Sequence, residues 1–426
     1  MNILKRTTAI ALFCATSALP FTALAQQPAP AAPVPVRQGT PINPPAAEPG
    51  TIVVEPAPLP PPLWGISDAQ QLLAYIRNIG TEGLNPSDYD PNGLAAAIAA
   101  GDPVKLSEVA TDRFNRVSSD LALGNVRGKD RIDWHIKDPD LDGGRQDKLL
   151  RWALHTHQIT DTLIGLLPTH PQYASLKHAL VVTPAGETDK INRIRLNLDR
   201  WRWLPRDLGE RYIIVNVPAY TAALVEKGET LSRHYAVAGK ISTPTPQLSA
   251  MATGVILNPW WEIPKSIEGE VRGKSGYVAV KDKNGKAVRW RQPPGPSNAL
   301  GKVKFVMPNS KAIYLHDTNA KSRFNSRVRA FSHGCIRTKD IIQLATILLT
   351  EGESEWTSEK VQDVLASGKS VQASFSEPLP VYIVYMSSAA HVDGRIIDYA
   401  DVYKRDGKAI AALIESKAAP EKVATR

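Results

Sequence analysis

The chain contains very little cysteine. Only Cys14 and Cys335 occur among its 426 residues, and Cys14 lies in an N-terminal segment that we expect to be removed. A mature chain with one cysteine cannot form an internal disulfide, and a single thiol in an exported protein is a candidate reactive group. Cys335 is therefore the first residue to consider for covalent chemistry.

Long apolar runs and blocks of like charge are also missing. Beyond the N-terminus, no stretch approaches the ~18–20 apolar residues that a membrane-spanning helix needs. The formal net charge is +9, but the basic residues form no block of the kind found in nucleic-acid-binding arms. These absences argue against a transmembrane segment and against a nucleic-acid partner. The positive excess is compatible with mild attraction to an anionic polymer or with general solubility.

The first 25 residues have the features of a secretory signal peptide. Lys5 and Arg6 form a basic start, a short apolar stretch follows over residues 9–19, and Ala-Leu-Ala at 23–25 provides a small-x-small cleavage site. This apolar stretch is too short to anchor the protein in a bilayer. We therefore predict a signal peptide over residues 1–25 and an exported chain.

Composition divides the rest of the chain. Residues 26–63 are rich in Pro and Ala, which favours an extended linker. Residues 64–185 show helical periodicity and predict an all-α domain. Residues 191–408 contain short β-branched runs that predict a mainly β domain, and we interpret a Gly-, Lys- and Pro-rich excursion at 268–300 as a lid. Residues 409–426 are expected to form a flexible tail.

Two histidines are placed near Cys335 in the sequence. Residues 332–335 read Ser-His-Gly-Cys, and His316 ends a predicted strand upstream, with residues 317–331 between it and Ser332. A free thiol with a pKa near ~8.5 is mostly protonated at neutral pH and needs activation to act as a nucleophile. A helix predicted to start just after Cys335 would lower that pKa through its dipole. His316 can serve first as a base and then as an acid.

The glycine of this motif suggests an oxyanion site. Gly334 permits a tight turn, so the backbone N–H groups of residues 333–335 can point at a developing negative charge. Two other interpretations of the residues remain open. The thiol could be a buried structural group, or His316, His333 and Cys335 could bind zinc, although a structural zinc site usually has four ligands.

The motif resembles the catalytic motif of the L,D-transpeptidases of the YkuD type. Arg337 stands where most of that family has asparagine, a departure also seen in its longer, periplasmic branch. Residues 198–205, 257–261 and 298–305 are similar to that branch, and residues 64–180 resemble its helical scaffold domain. The resemblance implies an α+β protein with a mainly β catalytic domain, an N-terminal all-α scaffold domain and a periplasmic location.

The resemblance also implies roles for the motif residues. Cys335 would be the nucleophile, His316 the proton donor and acceptor, and the backbone carbonyl of Asp317 would orient His316. The remaining motif residues would line the oxyanion hole or shape the pocket: His333, Gly334, Ser332 and Arg337. His333 remains an alternative base because it lies two residues from Cys335.

The implied reaction needs no cofactor and no metal. The thiol would attack the L,D-amide between the third and fourth residues of a peptidoglycan stem tetrapeptide, and a neighbouring stem's third residue would resolve the thioester as a 3→3 cross-link. A carbapenem would acylate the same cysteine. An L,D-carboxypeptidase or an enzyme that attaches a surface protein to the wall would use the same residues.

A non-catalytic wall-binding protein with a structural metal is the alternative from another class.

One departure from the longer branch concerns substrate binding. Longer members insert a peptidoglycan-binding module between scaffold and catalytic domain, whereas residues 181–190 leave no room for one here. Substrate contacts would then come from the scaffold, the catalytic groove and the lid.

Overall fold

The computed structural model describes residues 60–137, 141–352, 354–391 and 395–415. The predicted signal peptide, most of the predicted linker and the last eleven residues of the predicted tail lie outside the described residues. Helices fill the first half of the described chain and strands dominate the second half. This arrangement confirms the predicted α+β class with a helical region before a β-rich domain.

The helices, in chain order, are α1 (Ile66–Asn78), α2 (Pro91–Ala100), α3 (Pro103–Leu123), α4 (Gly143–Thr156), α5 (Ile159–Ile164), α6 (Pro171–Val182), α7 (Thr188–Arg202), α8 (Glu268–Val271), α9 (Ile341–Leu349), α10 (Ser358–Ser367) and α11 (Asp406–Ile414). The strands are β1 (Arg211–Asn216), β2 (Thr221–Glu226), β3 (Glu229–Gly239), β4 (Leu248–Leu257), β5 (Trp261–Glu262), β6 (Val278–Lys281), β7 (Ala287–Gln292), β8 (Val303–Val306), β9 (Leu315–His316), β10 (Ala330–Ser332), β11 (Ile336–Thr338), β12 (Val371–Val384), β13 (Ser388–Ala390) and β14 (Ile396–Asp398). None of the described helices combines the length and the apolar composition needed to cross a membrane.

Helix α3 shows how the sequence builds the helical region. The side chain of Asp102 caps the helix by accepting hydrogen bonds from the backbone N–H groups of Val104 and Lys105 at 2.9 and 3.1 Å. Pro103 occupies the first helical position, where its missing N–H costs nothing. Apolar residues at three- and four-residue spacing then face the helical core: Leu106, Ala110, Phe114, Val117 and Leu121.

The helical region extends further than the sequence pattern indicated. Helix α7 continues through residue 191, where we predicted the β domain to begin, and the first strand starts at Arg211. The reason is a helical spacing of large apolar residues within this segment. Ile194, Leu198 and Trp201 recur at three- and four-residue intervals and pack into the same core as α3.

Asp199 on α7 is a fully buried carboxylate, and its replacement should destabilise the fold. It accepts hydrogen bonds from the N–H groups of Asn125 and Val126 at 2.6 and 3.0 Å, and it is paired with buried Arg202. Asp199→Ala should lower the free energy of unfolding by about 3 kcal/mol, because Arg202 and two N–H donors lose their partner. Urea denaturation measures this loss. Asp112→Ala, which removes an exposed carboxylate, should change stability by less than about 0.5 kcal/mol, and equal stability of the two variants would contradict the prediction.

A nine-stranded sheet forms the second half of the molecule. Its strand order is β10-β3-β11-β9-β8-β4-β12-β1-β2, and an additional pairing between β2 and β3 closes the sheet into a barrel. Its interior is filled by apolar side chains from the central strands, among them Val255, Phe305, Leu315, Ile336 and Val381. Strands β8, β9 and β11 are neighbours in this order, and they carry the candidate site.

The predicted lid has its own structure. Strands β5, β7 and β6 form a separate three-stranded sheet, and α8 precedes β6. A small apolar cluster of Ile263, Ile267 and Val271 holds this subdomain together. The folded unit therefore spans residues 261–292 and contains most of the predicted excursion over residues 268–300.

The prediction of a flexible tail from Ala409 is wrong for residues 409–414. These residues belong to α11, whose Ala409 and Leu413 are buried against Val126, Leu196 and Trp203. Ala409 and Leu413 lie four residues apart, on the same face of the helix, and this face packs on the apolar surface formed by the other three residues. The Ala- and Lys-rich composition of the segment did not predict this tertiary contact.

Candidate active site

Three neighbouring strands place the candidate residues on one face of the barrel wall. Lys304 on β8 pairs with His316 on β9, and His316 pairs with Arg337 on β11. Alternate residues of a strand point to opposite faces. Phe305, Leu315 and Ile336 fill the barrel interior, so the three cationic or ionisable residues between them face outward.

Cys335 joins this face directly before β11. It is two residues from Arg337, and the N–H of the following residue, Ile336, donates to the carbonyl of Tyr314 at 3.0 Å. The thiol is partly buried, and Sγ lies 3.7 Å from the carbonyl oxygen of Ala312. Cys335 and His316 therefore lie on the same side of adjacent segments and share Tyr314, Lys304 and Arg337 as neighbours.

The electrostatic environment of Cys335 differs from the prediction. Burial raises the pKa of the thiol, while hydrogen bonds from Tyr314 and the charges of Lys304 and Arg337 partly oppose the shift. The helix expected to lower the pKa, α9, begins at Ile341, after β11, so the thiol does not lie at its N-terminus. The predicted activation by a helix dipole is therefore wrong, and the resting group is a thiol.

His316 is enclosed and neutral. It is 5% exposed, and burial lowers its pKa from 6.5 to about 3, with Arg337 and Lys304 acting in the same direction. The backbone carbonyl of Asp317 opposes this shift, although Nδ1 does not reach hydrogen-bond geometry with that carbonyl or with any other described group. A neutral imidazole at pH 7 can accept the proton of a neighbouring thiol.

Hydrogen bonds within the Ser-His-Gly-Cys segment fix its shape. The hydroxyl of Ser332 donates to the carbonyl of Cys335 at 2.6 Å and accepts the N–H of Gly334 at 3.1 Å. Gly334 has φ 109°, and a Cβ there would lie 3.1 Å from the side chain of Ile313. Ser332, which is 2% exposed, therefore clamps the turn and does not line a pocket. The N–H of Gly334 is already used, so it is not a free oxyanion donor as predicted.

The side chain of His333 is directed toward the lid. Its Nε2 lies 3.3 Å from Oε1 of Glu270 on α8 and 3.3 Å from Nζ of Lys240. His316, in contrast, lies among Tyr314, Lys304 and Arg337 on the face that carries the thiol. This difference favours His316 over His333 as the partner of Cys335. Across the described residues, no group of three His, Cys, Asp or Glu side chains could hold a metal ion.

Sequence reasoning missed three residues around the thiol. Tyr314 hydrogen-bonds to the thiol, and Lys304 lies with Nζ 4.2 Å from the centre of the Tyr314 ring. Thr245 donates from its hydroxyl to the carbonyl of Gly334 at 2.7 Å. Tyr314 could have been found, because it lies two residues before His316. The place of Lys304 beside His316 follows only from the pairing of β8 with β9. Thr245 is distant in sequence and carried no signal.

A cavity opens next to Ala312 and Tyr314, two residues that contact the thiol. Its volume is about 350 Å³. Its wall includes Lys304, Met307, Ala312, Ile313, Tyr314 and Gln372. The site therefore combines a thiol, a neutral imidazole, two cations and a nearby cavity, a set of groups from which thiol-dependent acyl transfer can be built.

Family comparisons agree with this class. Residues 210–369 match the family described as the L,D-transpeptidase catalytic domain (YkuD), and residues 61–180 match the family described as a scaffold domain. The candidate residues from His316 to Arg337 all lie within the first match. The chain thus carries a YkuD-type L,D-transpeptidase catalytic domain behind an N-terminal scaffold domain, which confirms the family predicted from the motif.

Individual relatives give the extent of the likeness. A curated Haemophilus influenzae protein named "Putative L,D-transpeptidase" is 30% identical over 290 residues, and the match covers 61% of this chain and 58% of that protein. A solved L,D-transpeptidase from Enterococcus faecium shares 14% identity over 43% of this chain and 52% of its own, with a TM-score of 0.25. One from Mycobacterium smegmatis shares 15% over 41% and 58%, with a TM-score of 0.23.

Proposed function

We propose that the protein is a periplasmic peptidoglycan L,D-transpeptidase that forms 3→3 cross-links through a thioester on Cys335. The observation that carries this proposal is the placement of Cys335 and neutral His316 on one face of neighbouring strands, inside the region that matches the L,D-transpeptidase catalytic domain. The predicted signal peptide supports the location, and no cofactor is required.

The first half-reaction forms the thioester. His316 takes the proton of Cys335 as Sγ attacks the carbonyl carbon between the third and fourth residues of a donor stem tetrapeptide. The negative charge that develops on the carbonyl oxygen is stabilised by the backbone N–H of Cys335, the donor of the motif turn that we assign to the oxyanion. The carbon–nitrogen bond then breaks, His316 returns the proton to the leaving nitrogen, and D-Ala departs.

The second half-reaction transfers the acyl group. The side-chain amine of a neighbouring stem's third residue attacks the thioester and gives a proton to His316. The carbon–sulfur bond breaks and the proton returns to Sγ, which restores the resting thiol. The same thioester could be resolved by water or by an amine of a surface protein, so the acceptor is the part of the proposal that product analysis must settle.

Purified protein incubated with tetrapeptide muropeptides tests the proposal. We expect dimers that have lost D-Ala, with fragmentation placing the new amide between the two third residues. Tripeptides without dimers would favour an L,D-carboxypeptidase, and adducts on an added surface protein would favour an attachment enzyme. Stoichiometric zinc together with an unreactive thiol would favour a non-catalytic wall-binding protein.

Lys304 should recognise a carboxylate of the stem peptide. It lines the cavity next to Tyr314. Glu262 interacts with the Lys304 charge only through space, and Glu262 is itself paired with Arg289 at 3.6 Å. Lys304→Met should lower kcat/KM for a tetrapeptide donor about tenfold, mainly through KM, because a charge-assisted hydrogen bond is worth about 1.5–3 kcal/mol.

The neighbouring lysine provides a matched control for this prediction. Lys302 is exposed and lies two residues before Lys304, so Lys302→Met should keep wild-type kinetics. A donor whose terminal carboxylate is amidated should not distinguish Lys304→Met from the wild type if that carboxylate is the group bound. Equal losses for both lysine variants would show that general surface charge, and not Lys304, is responsible.

A further inference from the structure

Thr245 lies behind the motif turn and is fully buried. Its hydroxyl donates to the carbonyl oxygen of Gly334 at 2.7 Å and accepts the N–H of Gly239, the last residue of β3, at 2.9 Å. Both hydrogen bonds involve Oγ1 of Thr245. Its single O–H donor is occupied by the Gly334 carbonyl, and it accepts one hydrogen bond from Gly239. The side chain is therefore committed to the Gly334 carbonyl.

This contact fixes the direction of a neighbouring N–H. The carbonyl of Gly334 and the N–H of Cys335 belong to one planar trans peptide, in which the two groups point in opposite directions. Anchoring the Gly334 carbonyl on Thr245 therefore aims the Cys335 N–H in the direction opposite to Thr245. The N–H of Gly334 already donates to the Ser332 hydroxyl, whereas the N–H of Cys335 lies on the residue that carries the sulfur.

We propose that Thr245 is a positioning residue that preorganises the Cys335 N–H as the oxyanion donor. The proposal rests on the acyl transfer proposed above, because an oxyanion forms only when the thiol attacks a carbonyl. A donor that is held in place before the reaction stabilises the developing charge without reorganisation.

The backbone around Thr245 leaves little room for an alternative arrangement. A Cβ added to Gly239 would lie 2.2 Å from the carbonyl oxygen of Thr243, 2.9 Å from the N atom of Thr245 and 3.1 Å from Cα of Gly334. Three backbone segments therefore meet here at close range.

The scaffold domain and the C-terminal segment support Thr245 from behind. The hydroxyl of Tyr403 accepts the N–H of Thr245 at 3.2 Å and donates to the carbonyl of Gly239 at 2.6 Å. Arg405, which is buried, donates to the carbonyl of Thr245 at 3.1 Å and pairs with Asp133 of the helical region at 2.6 Å. The scaffold is thus linked to the catalytic turn through Arg405 and Thr245.

Backbone pairing strengthens the same link. The N–H of Gln247 donates to the carbonyl of Asp133 at 3.0 Å, and the N–H of His135 donates to the carbonyl of Gln247 at 2.8 Å. Trp134 and Gln247 form a parallel bridge. The segment that contains Thr245 is therefore paired with the scaffold immediately after Thr245, which gives the scaffold a part in positioning the donor.

Two reactions of Cys335 separate this role from simple folding. Acylation by imipenem passes through a tetrahedral oxyanion, whereas alkylation by iodoacetamide displaces iodide from a saturated carbon and forms none. Thr245→Val should slow acylation about 10- to 100-fold, a part of the effect of deleting one oxyanion donor, and should leave the alkylation rate within about twofold. Thr245→Ser, which keeps the hydroxyl, should restore acylation.

Two further variants complete the test. Thr243→Val removes a nearby hydroxyl that donates to the Ser332 carbonyl at 3.2 Å, on the peptide that carries the His333 N–H. The same carbonyl also accepts the N–H of Lys240 at 2.8 Å, so this peptide stays anchored and acylation should stay near the wild-type rate. Tyr403→Phe removes the hydroxyl that holds the Thr245 N–H and does not touch the motif. It should slow acylation less than Thr245→Val, and it replaces that variant in the test if Thr245→Val does not fold.

Unchanged acylation, or equal slowing of acylation and alkylation, in Thr245→Val would overturn the proposal. The same results in Tyr403→Phe would overturn it if Thr245→Val does not fold. A wild-type protein that imipenem never acylates would instead count against the acyl-transfer function itself.

Discussion

Cys335→Ala should abolish acyl transfer while leaving the protein folded. The thioester requires the sulfur, and removing a nucleophile from a concerted catalytic group reduces turnover by about 10⁵-fold or more. The sulfur is partly buried, and its contact with the Ala312 carbonyl is a long one of 3.7 Å. The variant should therefore unfold at nearly the same urea concentration as the wild type.

Two measurements check this result. Intact mass after incubation with imipenem should show a single adduct on the wild type and none on Cys335→Ala. Muropeptide dimers should be absent for the variant. A Cys335→Ala protein that still released D-Ala from tetrapeptides would place the nucleophile elsewhere and would remove the basis of the proposed mechanism.

The local motif was predictable, but its environment was not. Cys335 and His316 are identified by residue type and spacing, and the periodicity of residues 64–180 indicated the helical region. The pKa of Cys335 depends on burial by strands β8, β9 and β11, which the sequence does not place side by side. The expected helix dipole failed because a short strand, β11, intervenes between the thiol and α9.

Contacts between distant segments account for the other omissions. Thr245 lies far from Gly334 in sequence, and its role depends on the closure of β3 against β11 and on the scaffold residue Asp133. Helix α11 was missed because half of the apolar residues at 409–414 are alanines and their partners are on α7 and its neighbours. In both cases the residue pattern is weak locally and becomes informative only when the opposing surface is known.

His316→Asn should slow acylation of Cys335 by about 10³-fold at pH 7, because asparagine cannot accept a proton. The thiol depends on this base, since burial raises the pKa of Cys335 and little thiolate exists at neutral pH. His333→Asn is the matched control. The His333 imidazole contacts Glu270 and Lys240, so this variant should stay within about fivefold of the wild-type rate. The opposite ranking would assign the base to His333.

The pH dependence of acylation distinguishes a base from a spectator. With the pKa of His316 at about 3, the imidazole is neutral from pH 5 to 8, and the wild-type rate of acylation by imipenem should be nearly constant over that range. In His316→Asn only the thiolate reacts, so the rate should rise about tenfold per pH unit below the thiol pKa. A wild-type rate that rose with the same slope would show that His316 does not act as the base.

The buried neutral imidazole should also affect stability, independently of activity. Between pH 6.5 and about 3, the unfolded chain binds a proton at His316 that the folded chain excludes, so the free energy of unfolding falls as the pH falls through this window. His316→Asn removes this term, whereas His170, whose pKa burial lowers to about 4, titrates in both proteins. Urea denaturation from pH 7 to 4 should therefore show a steeper loss of stability in the wild type than in the variant. Parallel plots of unfolding free energy against pH for the two proteins would mean that the folded protein does not hold His316 neutral. His316 would then have to lose a proton before it could act as the base at low pH.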